Sequence, residues 1–137
     1  MSVQPYRFFE GSCEAAVEFY QRAVGAEIKR LVRIKDAPDP PPSSMVPPGS
    51  ENKMLHVTIQ IGDSQVLASD GYCSGRPNFQ GFSLSLSLPG AAQAERAFAA
   101  LSEGGKVDMP LAKTFFSPSF GMLTDRFGVR WMITVPA

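Results

Sequence analysis

The stretch FFSPSFGMLTDRFGVRWMITV, residues 115–135, decides how the rest of the chain is read. Residues 120–124 form a short run with strand-forming side chains. Asp125, Arg126, Phe127 and Gly128 follow, with a turn-former at each end. Residues 129–135 are rich in β-branched and aromatic side chains. Two such runs around a four-residue, Gly-containing turn predict a β-hairpin. Side chains alternate along a strand, so Val129, Trp131, Ile133 and Val135 share one face, which suits a core. Arg130, Met132 and Thr134 face something wetter. Asp125 and Arg126 read as hairpin chemistry.

Working back from the hairpin, the same devices recur. Residues 3–9 read as a strand, with Ser12 as helix N-cap and Glu14 placed to suit the helix dipole. Ala16, Phe19, Tyr20 and Ala23 follow the spacing of one amphipathic helical face, and Gly25 closes the helix. Residues 26–34 return as a strand. Residues 54–61 alternate cleanly: Leu55, Val57, Ile59 and Ile61 form an apolar face, and Met54, His56, Thr58 and Gln60 the other. Gly62 and Asp63 turn into a partner strand, residues 64–70. Residues 72–79 are turn-rich and read as a link. Residues 81–88 alternate again, with Phe82, Leu84, Leu86 and Leu88 toward the core and Ser83, Ser85 and Ser87 away. Ala94, Ala97, Phe98 and Leu101 mark a second amphipathic helix closed by Gly104 and Gly105. Residues 106–116 hold a further strand, interrupted by Pro110.

The order is strand, helix, three strands, and then the same again. This predicts one α+β domain over residues 1–137, made of two βαβββ units (about 1–71 and 80–137, with the link at 72–79). They form a curved mixed sheet with helices outside and a concave face inside. Only residues 35–53 break the pattern. Residues 36–49 hold six of the chain's twelve prolines and exclude regular helix or central strand. The stretch reads as a long loop: a lid, an arm, or a proline-rich ligand for a partner domain.

Several of these stretches also carry a resemblance. TDRFGVRWMITV (124–135) resembles the C-terminal hairpin of the glyoxalase/bleomycin-resistance (vicinal oxygen chelate) superfamily. Its Phe127-Gly128-Val129-x-Trp131-Met132 form is that of the PhnB-like branch, often labelled demethylubiquinone methyltransferase-like. PYRFFEG (5–11) with CEAAVEFY (13–20) resembles that branch's opening strand and helix. IGDS (61–64) with ASD (68–70) resembles its central hairpin. The likeness runs from about Gln4 to Val135.

Composition bounds the function. With 137 residues, 13 basic and 13 acidic, the chain has zero formal net charge, which argues against nucleic acid or an anionic membrane as partner. No apolar run approaches the ~18 residues that span a bilayer. The first residues lack a signal-peptide layout. The two cysteines, Cys13 and Cys73, sit in no CxxC motif and read as structural thiols of a reduced, cytoplasmic protein.

The alternation decides which side chains can line a pocket. Ser83 and Ser85 share a face, as do His56 and Thr58, and Met132 and Thr134. Phe115 and Phe116 are either aromatic walls or edge packing. On the residues alone, these faces meet either a ligand or solvent. The resemblance implies a small-molecule pocket between the halves, with His56, Thr58, Asp70, Ser83, Ser85, Phe116, Met132 and Thr134 as lining. It also implies homodimers, in which unpaired edge strands can be covered and the proline loop can act as an arm.

In metal-using members of the superfamily, ligands come from inner strands of both halves. The corresponding positions here fall near Pro5 (with Gln4 adjacent), Ser83, and Ile133 or Thr134, with Asp70 at the end of the central hairpin. That set is too poor for a transition metal, which wants three or four N, O or S donors. No glycine-rich strand-to-helix turn marks a nucleotide-like cofactor, so no cofactor is expected. Ser, His56 and Asp70 lack the G-x-S-x-G elbow of a hydrolase triad. His56 and Asp70 remain the only candidates for a reacting group. The sequence thus predicts a protein that binds or converts a small, partly apolar molecule without a catalytic metal. The alternative is a non-catalytic, drug-resistance-type sequestering protein.

Overall fold

The computed structural model describes residues 1–39 and 45–137. The first compact unit, Met1–Pro77, holds β1 (Tyr6–Phe8), α1 (Cys13–Val24), β2 (Glu27–Arg33), a single 3-10 turn (Ile34–Asp36), β3 (Met54–Ile61) and β4 (Ser64–Ser69). The second, Asn78–Ala137, holds β5 (Leu84–Ser87), α2 (Ala91–Ser102), β6 (Lys106–Ala112), β7 (Ser119–Thr124) and β8 (Arg130–Val135).

Each unit is a βαβββ unit with one four-stranded mixed sheet, in the orders β1-β4-β3-β2 and β5-β8-β7-β6. The first strand of each unit runs parallel to the last, and the other pairings are antiparallel. The α+β reading of two βαβββ units therefore holds, as two sheets of identical connectivity.

The closing hairpin forms as the alternation requires. β7 and β8 pair in unbroken register from Ser119↔Val135 to Thr124↔Arg130. Val129, Trp131, Ile133 and Val135 are all buried. The turn is organised by Asp125: one carboxylate oxygen accepts the Phe127 and Val129 amides (2.8 and 3.1 Å), and the other accepts the Trp131 indole N–H (2.9 Å). α2 packs Ala94, Ala97, Phe98 and Leu101 inward, as its spacing predicts. Gly121 of β7 lets it approach closely, since a Cβ there would lie 2.8 Å from the Phe98 ring and 3.0 Å from the Met109 carbonyl.

In the first unit, α1 buries Ala16, Val17, Phe19 and Tyr20 and stops at Gly25, whose φ of 68° is left-handed. Arg7, on the inner face of β1, is 2% exposed, and its guanidinium lies over the Phe9 and Tyr20 rings at 5.3 and 5.4 Å. Such cation–π contact suits a delocalised cation.

Five local expectations are corrected. Ser12 does not cap α1: its hydroxyl donates to the Phe9 carbonyl, and the amides at the helix start find Asp70 instead. Strand β1 is three residues rather than seven. Met54 is buried and Leu55 only half-buried, because the β2–β3 ladder slips between Val32↔His56 and Arg33↔Met54. One extra residue reverses the alternation at that end. Phe82, before β5, is 40% exposed, and Leu84 and Leu86 within it are only half-buried. Finally, β6 runs on through Pro110, and the interruption is confined to its ladder. β6 is an outer strand, and its ladder passes from Met109↔Met122 to Ala112↔Phe120, so Pro110 occupies an irregular step.

Candidate functional site

The sequence-predicted pocket residues resolve into two sets, one on each unit, and each set is described by itself. On the first sheet, α1 covers the face carrying Arg7, Phe9 and Val57. The opposite face carries Tyr6, Phe8, His56 and Thr58. There Tyr6 and Phe8 of β1, 40% and 50% exposed, stack with ring centroids 5.0 Å apart. His56 of β3 stands beside them: its Nδ1 lies 3.1 Å from the Tyr6 hydroxyl and its Nε2 3.1 Å from Thr58 Oγ1. Each hydroxyl can donate or accept, so either neutral tautomer of His56 satisfies both contacts. Burial, and secondarily the charge of Arg30, lowers the His56 pKa. Burial raises that of Tyr6. The group is thus a neutral imidazole held between two hydroxyls.

His56 and Thr58 are brought together as expected, and Asp70 is not with them. Asp70 is 1% exposed. One of its oxygens accepts the Gly11 and Cys13 amides, and the other the Met54 amide, all at 2.8 Å. A buried carboxylate whose oxygens accept three backbone N–H groups is a frame for the start of α1 and the start of β3. The structure thus places Asp70 in that frame, apart from His56 and Thr58. Cys13 is fully buried in the same frame, and burial first, then the Asp70 charge, pushes its thiol pKa up. Cys73 is half-buried, and burial raises its pKa as well. Neither thiol is activated, and both are free.

Two recesses open on this unit. One, about 370 Å³, is lined by Arg30, Val32, Ala37, Pro38, Asp39, Leu55 and His56. The other, about 400 Å³, lies among Glu10, Pro48, Ser50, Lys53 and Cys73. The Lys53 ammonium there donates to the Gly11 carbonyl.

On the second sheet, register places Ser85 beside Met132 and Ser87 beside Thr134, with Met122 and Met109 continuing the row across β7 and β6. Met132 and Thr134 are half-buried, Ser83 is half-buried just before β5, and Ser85 is exposed. The Thr134 hydroxyl donates to Ser117 Oγ at 3.3 Å. Phe116 is 48% exposed and meets the Phe120 ring edge-on at 5.0 Å, while Phe115 is 99% exposed. Phe116 therefore caps the row's margin rather than packing in the core.

Tyr6 and Arg30 are the residues that sequence reasoning missed. The alternation Tyr6-Arg7-Phe8-Phe9 holds the signal for Tyr6, yet read alone it favours burying Tyr6 and Phe8 and exposing the arginine. The buried Arg7–Phe9 face reverses that. Arg30 needs the register Arg30↔Thr58, which depends on a bulge at Lys29. The Pro5 carbonyl accepts the Leu67 amide, Gln4 Nε2 donates to Gln65, and Ile133 is buried. Among the described residues, no three His, Cys, Asp or Glu side chains gather as a metal site, and no helix is long and apolar enough to cross a membrane.

Two βαβββ units with helix-covered mixed sheets define the glyoxalase/bleomycin-resistance fold. A member of that superfamily from Sphaerobacter thermophilus superposes with TM-score 0.58 at 20% identity, over 98% of each chain. The chain belongs to the family described as 3-demethylubiquinone-9 3-methyltransferase, whose model matches residues 2–134, and to its PhnB-like branch. It is 34% identical to Protein YjdN of Escherichia coli K12, over 98% of this chain and 95% of that one. It is 36% identical to protein PA1353 of Pseudomonas aeruginosa, with TM-score 0.85 over 99% and 98% of the two chains. The Bacillus cereus "putative 3-demethylubiquinone-9 3-methyltransferase, PhnB protein" is 26% identical, with TM-score 0.79 over 98% and 99%.

Proposed function

We propose that this protein binds or converts a small, partly apolar molecule on the sheet faces opposite its helices, without a catalytic metal, as a reduced cytoplasmic homodimer. The observation that supports this most is on the face of the first sheet opposite α1. A stacked aromatic pair stands there beside a neutral histidine tethered by two hydroxyls. An apolar platform with a few fixed polar groups is the chemistry of a ligand site. Ser85, Met132, Thr134 and Phe116 supply a comparable mixed face on the second sheet. The sequestering alternative is favoured by one feature: both ring nitrogens of His56 are already engaged, which suits recognition more than proton transfer.

The test is fluorescence titration with N-phenyl-1-naphthylamine, a neutral apolar probe. The reading expects saturable enhancement that is lost in Phe8→Lys, an exposed position whose variant should melt within a few degrees of the parent. Absent or non-saturable enhancement, or unchanged binding in Phe8→Lys, argues against it. Light scattering that finds a monomer at micromolar concentration removes the homodimer. The arm expected of residues 35–53 falls partly on 40–44, outside the described residues.

A further inference from the structure

We infer that the recess beside His56 takes the acidic end of an amphipathic small molecule: a carboxylate or sulfonate carried on an apolar body. This rests on the proposed binding role and adds the class of ligand. The recess of about 370 Å³ is walled by Val32, Leu55, Ala37 and Pro38, with Arg30, Asp39 and His56 as its charged or titratable groups. That is room for a ring system with one polar head.

Arg30 carries the inference. It sits at a paired position of β2, opposite Thr58 of β3, so the ladder fixes its backbone next to the strand that bears His56. The other cations of β2 are already engaged: Lys29 pairs with Glu27, and Arg33 with Glu14. Among the described residues Arg30 is in no ion pair, and its guanidinium fork matches a carboxylate or sulfonate in two-point contact. Its charge reaches the imidazole, as the lowered His56 pKa reflects after burial.

The groups facing His56 are Tyr6 from β1, Arg30 from β2, Thr58 and Leu55 from its own strand, and Asp39 from the segment after the 3-10 turn. Asp39 opposes an anion, but it is exposed and stands on irregular backbone at the recess rim. A cationic ligand would have to face Arg30 and a histidine that gains charge as pH falls. An anionic one gains from both.

The experiment uses two probes with the same ring framework on the full chain. These are 8-anilinonaphthalene-1-sulfonate, which carries the acid, and N-phenyl-1-naphthylamine, which does not. Loss of a charge-assisted bidentate contact in Arg30→Gln should weaken the sulfonate probe by about 10-fold or more and leave the neutral probe within about 2-fold. Asp39→Asn should tighten the sulfonate probe alone. Lowering pH through the lowered His56 pKa should tighten the sulfonate probe in the parent but not in His56→Gln. If both probes bind and their affinity ratio is the same in the parent and Arg30→Gln, the acidic-end inference is overturned and the binding role stands. If neither probe binds, the binding role falls and the inference falls with it.

Discussion

Replacing Asp70 separates a framework carboxylate from a reacting one. Its two oxygens accept the Gly11, Cys13 and Met54 amides at 2.8 Å, and the residue is 1% exposed. Asp70→Ala leaves three donors facing a cavity. Each buried donor left unsatisfied costs about 1–3 kcal/mol, and the losses overlap because water or a small shift can rescue some of them. Removing the negative charge from the first turn of α1 costs up to about 1 kcal/mol more. A loss of about 3–5 kcal/mol is expected, which is a large fraction of the ~5–15 kcal/mol that holds a domain folded. Asp70→Asn keeps one acceptor oxygen but turns an NH2 toward at least one amide, so about 2 kcal/mol is expected. Urea denaturation at pH 7, with the slope compared between variants, reads both values. A loss below about 1 kcal/mol in Asp70→Ala would refute the bracing role. So would an Asp70→Asn variant of parental stability that no longer bound ligand, since that pattern belongs to a pocket group.

Gly121→Ala should destabilise the second unit by about 1–3 kcal/mol, read by thermal melting, because its Cβ would press on Phe98, Leu111 and the Met109 carbonyl. The lowered His56 pKa means that the folded state binds fewer protons than the unfolded chain near the ordinary value of 6.5. Its contribution to stability is therefore complete above pH 6.5 and is lost as pH falls through the lowered value. A His56→Gln variant should accordingly show a smaller fall in Tm between pH 7.5 and 5 than the parent. Dialysis of untagged protein against nickel, zinc or manganese at micromolar free metal should leave far less than one equivalent bound. Near-stoichiometric retention abolished by His56→Ala would reopen a metalloenzyme reading.

The hairpin, both helices and the duplicated βαβββ order were legible because each rests on local periodicity: Val129, Trp131, Ile133 and Val135 at every second residue, and Ala94, Ala97, Phe98 and Leu101 at helical spacing. Bulges were not legible. The extra residue at Leu55 sends Met54 inward and Leu55 halfway out, and no composition signal marks a slip that only the partner strand defines. Ser12 illustrates a second limit. A hydroxyl in the right place is a local capping signal, but this one turns back to the Phe9 carbonyl, while a carboxylate 58 positions later reaches the Gly11 and Cys13 amides through the fold. The candidate site was half legible. His56 and Thr58 share a face by alternation. Tyr6 and Arg30 join them only through strand pairing.

The irregular outer strands bear on how copies of this chain meet at high concentration. β6 lacks a donor at Pro110 and is kinked on either side of Met109, and β2 is bulged at Lys29 and carries Lys29, Arg30 and Arg33. A margin interrupted by proline, or bristling with cations, is a poor template for an incoming strand. Both sheets are thus protected along their longest rims against extension into fibrils. The stacked and half-exposed aromatics can stay on the surface for recognition without seeding aggregation along these rims.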